Sequence, residues 1–146
     1  MASIEQGDRF IEHRNHWTIP LQGKIVTRCF LDSAFGIELS DRDYDITIRI
    51  EGTFRLKVLD KEYKLSPENP TALGPALSLF QKEVYSSSAY KDGKLEVAFL
   101  DGNCLSVEPD TEYEAWEIVG SSGLKVVCMP GGQLSVWQSI LNDATN

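Results

Sequence analysis

Basic residues are missing from a long stretch of this chain of 146 residues. No lysine or arginine occurs between Lys94 and Lys125, while Glu96, Asp101, Glu108, Asp110, Glu112, Glu114 and Glu117 all fall there. Such a field repels the phosphates of nucleic acid, so a nucleic-acid partner is not expected. Cysteine is sparse as well. Cys29, Cys104 and Cys128 are odd in number, widely separated and set inside strand-like runs. That excludes paired metal spacings and argues for free thiols in a reducing cytosol. Long apolar runs are lacking, and Met1–Asp8 has neither a basic nor an apolar segment. A cytoplasmic protein with no membrane partner is therefore expected.

Sequence patterns that would carry chemistry are also absent. Pro130-Gly131-Gly132 precedes the strand-like run Gln133–Trp137, whereas a phosphate cradle needs a helix opening after its glycines. It reads as a hairpin turn. Ser86-Ser87-Ser88 has no elbow context for a nucleophile. His13 and His16 stand three residues apart with Glu12 alongside, but Arg14 lies between them and no third ligand is near, so they read as surface histidines. The expectation is a non-enzyme with no catalytic residues, no cofactor and no metal.

The chain is 42% hydrophobic, enough at this length for one core without disulfides. One domain is expected over 1–146, with its core at about 17–137, a polar lead over 1–16 and a C-terminal tail over 138–146. The net charge of −8 is uneven: nine acids against eight bases in residues 1–58, thirteen against six in 59–146.

Alternation dominates the rest. Ile25, Thr27, Cys29 and Leu31 mark one face of a first strand; Phe35, Ile37 and Leu39 a second; Tyr44, Ile46, Ile48 and Ile50 a third; Phe54, Leu56 and Val58 a fourth. Glu51-Gly52 reads as a tight turn, and short connections predict an antiparallel meander. Leu73, Leu77 and Phe80 recur at helical spacing, which predicts one short helix at about 70–80. Pro75 and Gly74 leave a two-piece helix as the alternative. Strands are then expected at Val84–Tyr90, through Leu95, Val97 and Phe99, through Leu105 and Val107, over Tyr113–Ile118, and on either side of Pro130-Gly131-Gly132. The Asp92-Gly93 and Asp101-Gly102 pairs are hairpin signals.

The two halves resemble one another at an offset of 58. Lys24 matches Lys82, Val26 Val84, Ile37 Leu95, Glu38 Glu96, Leu39 Val97 and Asp43 Asp101. The fold class expected is mainly β (α+β): antiparallel strands in two similar halves with one short helix between them.

His16-Trp17, Pro20–Lys24, the Asp101-Gly102 hairpin, Tyr113-Glu114-Ala115-Trp116 and Pro130-Gly131-Gly132 followed by Trp137 occur in this order. Together they resemble a family of small uncharacterised bacterial proteins, over about Trp17 to Trp137. The resemblance implies a bacterial cytoplasmic domain and no particular chemistry. A looser likeness is to immunity proteins that neutralise bacterial toxins.

Two functional expectations follow. The first is a non-catalytic protein-binding module, of immunity type, whose acidic face meets a basic protein such as a toxin, with Glu108, Asp110, Glu112, Glu114 and Trp116 as contacts. An acidic face that serves solubility alone is the competing account. The second is a small-ligand binder or weak enzyme with a pocket near Glu114 and Trp116. It needs Glu114 to share a strand face with Trp116 and to sit in apolar surroundings, unless a turn or an arginine such as Arg28, Arg49 or Arg55 satisfies it. Trp116 is also expected to anchor the core.

Overall fold

The computed structural model describes residues 9–138. Three strands, β3 (Ile25–Leu31), β4 (Phe35–Ser40) and β5 (Asp45–Ile50), form an antiparallel meander. In β4 and β5 every second side chain enters the core: Phe35, Ile37 and Leu39, then Ile46, Ile48 and Ile50. A hairpin follows, β6 (Phe54–Val58) with β7 (Lys61–Leu65). After the helical segment the same order recurs. β8 (Val84–Tyr90), β9 (Leu95–Phe99) and β10 (Cys104–Val107) are a second meander, and β11 (Trp116–Gly120) with β12 (Lys125–Cys128) a second hairpin. β1 (Ile11–Glu12) and β2 (His16–Thr18) flank β8, and β13 (Leu134–Trp137) flanks β12.

These strands make two antiparallel sheets, β1-β2-β8-β9-β10-β6-β7 and β13-β12-β11-β5-β4-β3. Their inner faces share one core, in which Phe35 of one sheet stacks on Phe54 of the other with ring centroids 5.4 Å apart. The expected mainly antiparallel β architecture with a single short helix is what the chain adopts.

Each hairpin belongs to the opposite meander. β6 leaves β5 and pairs with β10; β11 leaves β10 and pairs with β5. The two halves are thus intertwined about a pseudo-two-fold. Near that axis Val26 N donates to Lys82 O at 3.0 Å and Val84 N to Lys24 O at 2.9 Å, around the bridge Ile25–Glu83. Both meanders carry a β-bulge at the same place, between Val26 and Arg28 and between Val84 and Ser86. Register corrects the sequence matching, however. Val26 and Val84 do correspond, but their partners are Leu39 and Phe99, so the second strands are offset by 60. The matches Ile37–Leu95, Glu38–Glu96 and Leu39–Val97 are displaced by two residues, an error that alternation hides because a shift of two keeps the same face inward.

Three local expectations change, and for the helix the two-piece alternative is realised. Glu51-Gly52 is no hairpin turn: it begins a crossover between sheets, with Glu51 N bonded to Ala115 O at 2.9 Å. The bulge at Thr27 resets the phase of β3, so Val26 is buried and Ile25 exposed; Cys29 and Leu31 follow Val26 on the inner face, where Leu31 at the strand end is 46% exposed. The helix over 70–80 is in two pieces, a 3-10 turn Pro70–Ala72 and α1 (Gly74–Leu77), each with proline at its start. The strand expected from Tyr113 begins only at Trp116.

Candidate functional site: the acidic crossover loop

The two crossovers between sheets meet at one end of the molecule. Residues 51–53 link β5 to β6, and residues 108–115 link β10 to β11. They are equivalent under the pseudo-two-fold, but the second is longer, and its surplus length holds Glu108, Asp110, Glu112, Tyr113 and Glu114.

Several sequence features converge to hold this loop. Gly93, at the tip of the β8–β9 hairpin, has φ +108°, and a Cβ there would stand 2.6 Å from Gly132 Cα and 2.7 Å from Pro109 Cβ. Only glycine permits this close approach. Gly93 O accepts from Trp116 Nε1 at 2.9 Å and from Cys128 Sγ at 3.4 Å. Burial pushes the Cys128 thiol up to about 11, so it is a packed, inert group. Gly131 N donates to Asp110 O at 2.7 Å, and Asp110 Oδ1 accepts from Glu112 N at 2.8 Å. The Asp92-Gly93 turn, the Pro130-Gly131-Gly132 turn and Trp116 together form the base on which the loop sits.

On the solvent side lies a cavity of about 220 Å³, lined by Thr53, Arg55, Lys64, Ser106, Glu108 and Asp110 with Tyr113 at its rim. A shallow depression of about 660 Å³ adjoins it, bounded by Glu51, Glu68, Tyr113, Glu114 and Pro130. Tyr113 belongs to both. Its hydroxyl lies 2.7 Å from where a Cβ on Gly52 would be, so the smallness of Gly52 seats the ring. Partial burial raises the Tyr113 hydroxyl above its ordinary range, and the charge and hydrogen bond of Asp110 add to this.

Of the seven carboxylates in the lysine-free stretch, three are in ion pairs: Glu96 with Lys94 at 3.9 Å, Asp101 with Lys82 at 3.1 Å, and Glu117 with Arg49 at 4.0 Å. Glu108, Asp110, Glu112 and Glu114, all on the loop, are in none among the described residues. Arg49 serves Glu117 and Asp32 rather than Glu114.

The structure therefore brings Glu108, Asp110, Glu112 and Glu114 together and sets Trp116 apart. Trp116 is fully buried and cannot be a contact residue. Glu114 is exposed and precedes the strand, so it shares no apolar face with Trp116; the depression that Glu114 borders does not include Trp116. Trp137 is on β13, its ring under Lys125 Nζ at 5.5 Å. His13 and His16 stack at 4.4 Å, bonded to Thr18 and Asn15. Among the described residues no group of three His, Cys, Asp or Glu side chains is placed to hold a metal, and no helix is long and apolar enough to cross a membrane. Sequence reasoning names Arg55 only as a partner for Glu114 and does not name Lys64; both line the cavity beside Tyr113 instead. They are cross-strand neighbours on β6 and β7, and β7 was not foreseen.

Fold and site define a two-sheet antiparallel β protein with an acidic crossover loop. The chain belongs to a family of unknown function, DUF6188, whose profile matches residues 17–138. No curated protein and no solved structure matches it.

Proposed function

We propose that this protein is a non-catalytic protein-binding module whose acidic crossover loop docks a cationic partner, with a toxin neutralised in the manner of an immunity protein as the specific form. The observation that carries the reading is the asymmetry of the crossovers. One half of the pseudo-symmetric fold passes between sheets in three residues, the other uses eight, and the surplus presents four carboxylates that are in no ion pair among the described residues, beside a tyrosine over concave surface. Solubility alone needs no such clustering, because charges spread over the surface serve it as well. Lysine and arginine side chains of a partner would find carboxylates at the rim and an amphipathic ring at the centre, a combination that gives fast, salt-sensitive association.

The test is titration against the product of the gene adjacent to this one, at rising salt, with native protein and with Glu108→Lys/Glu112→Lys/Glu114→Lys. The substituted side chains are exposed, so the fold is expected to persist by circular dichroism. Affinity should fall by about a hundredfold or more in the triple variant. Binding that is unchanged by the substitutions rules out the loop as the contact, and no binding by the native chain rules out the adjacent product as the partner.

A further inference from the structure

The pseudo-two-fold leaves one position unequal. In the second half, β2 covers the outer edge of β8, with Trp17 opposite Ala89, and Ala89 is fully buried. Leu31 holds the matching place in the first half, since it pairs with Phe35 as Ala89 pairs with Leu95. No described strand covers it. Leu31 is 46% exposed, and beside it is an apolar cavity of about 250 Å³ lined by Cys29, Phe30, Phe35, Leu73 and Leu77. The Ile25–Val26 end of this edge is bonded to residues 81–83 and the bulge follows it, which leaves Arg28–Leu31, a stretch without proline, as the open part. Asp32 N donates to Ala34 O at 3.1 Å, so by alternation the backbone groups of Phe30 face β4 while those of Cys29 and Leu31 point outward.

We infer that this edge pairs with a second copy of itself, β3 antiparallel to β3 about a two-fold axis at Phe30, so that two six-stranded sheets become one. The register that uses all the outward groups of Cys29 and Leu31 sets Cys29 of each copy against Leu31 of the other. The same register places Arg28 opposite Asp32 at both ends and Phe30 opposite Phe30 at the axis, each Phe30 ring lying over Gly36 of its own β4. Shifting the axis to Cys29 or Leu31 loses the charge match. Leu31 of the second copy then covers the apolar cavity, as Trp17 covers Ala89. Arg28 already meets Glu38 at 3.4 Å and Asp32 meets Arg49 at 2.7 Å, but Arg28 and Asp32 are largely exposed, so the new contacts extend a surface network. The inference is independent of the acidic loop, since none of these edge residues lines its cavities.

Sedimentation equilibrium from about 1 to 100 µM tests it. The native chain should be a dimer. Arg28→Asp should weaken the dimer about tenfold or more, and Arg28→Asp/Asp32→Arg should restore it. Leu31→Lys should give a monomer with an unchanged circular dichroism spectrum. Should the double variant fail to fold, Phe30→Cys in a Cys29→Ser background provides a second readout, because mild oxidation should link the copies through the axis. A native monomer at every concentration overturns the inference. So does a dimer that survives both Arg28→Asp and Leu31→Lys, or one that does not cross-link at position 30.

Discussion

Trp116 lies where β11 enters the second sheet, fully buried, with its indole N–H committed to Gly93 O. Replacing it by alanine removes the largest fully buried side chain and leaves a void beneath the acidic loop. The expected cost is about 3–5 kcal/mol, read as a lower urea midpoint. Partner binding should fall only in proportion to the folded fraction. Asp41 supplies a second test at this scale. Burial by itself would raise its carboxyl, but hydrogen bonds from Lys24 Nζ at 2.8 Å and from the Tyr44 and Asp43 amides outweigh it and bring the group to about 2. A folded value below the unfolded one means that the stabilisation is present above the unfolded carboxylate range and is lost as pH falls toward 2. The urea midpoint of Asp41→Asn should therefore lie below that of the native chain at pH 7. The gap should close as the two are titrated down to about pH 2. A gap independent of pH would show that the turn geometry, and not the charge, matters.

Elements were legible in proportion to how local their causes are. The inward positions of β4, β5, β9 and β10 follow from alternation, and the Asp92-Gly93, Asp101-Gly102 and Pro130-Gly131-Gly132 turns from glycine at positive φ. The bulge in β3 and the late start of β11 were not legible, because each depends on a partner strand. β7 was hidden for a different reason. Its turn has Leu59 at φ +57°, a conformation in which leucine is unfavourable and which no turn signal announces. Leu59 is also largely exposed, so little packing is lost on its replacement. Leu59→Asn should raise the urea midpoint by up to about 1 kcal/mol of stability, asparagine being at ease in that region. A lowered midpoint would mean that Leu59 packs usefully across the hairpin.

For the whole molecule, the exchange of hairpins makes each half dependent on the other. β6 has β10 as its neighbour and β11 has β5, so neither meander keeps its hairpin when the chain is cut. Fragments 9–78 and 79–138 should each be unfolded alone by circular dichroism and regain β signal on mixing. The intact chain should unfold in one transition, with tryptophan fluorescence and far-ultraviolet signal coinciding. Separate transitions would mean that the halves are independent units.

The sequence by itself determined the fold class, the strand faces away from bulges, the glycine turns at 92–93, 101–102 and 130–132, and the acidic character of the loop. Each rests on periodicity or composition, which are properties of neighbouring residues. Only the tertiary structure decided which strands pair, and with that the make-up of the candidate site. The crossing of β6 and β11, the burial of Trp116 apart from Glu114, and the meeting of Arg55, Lys64 and Tyr113 all join residues from different strands and loops. Alternation states which face of a strand is buried but not which strand lies beside it, because an inward-facing leucine or isoleucine buries equally well against several partners.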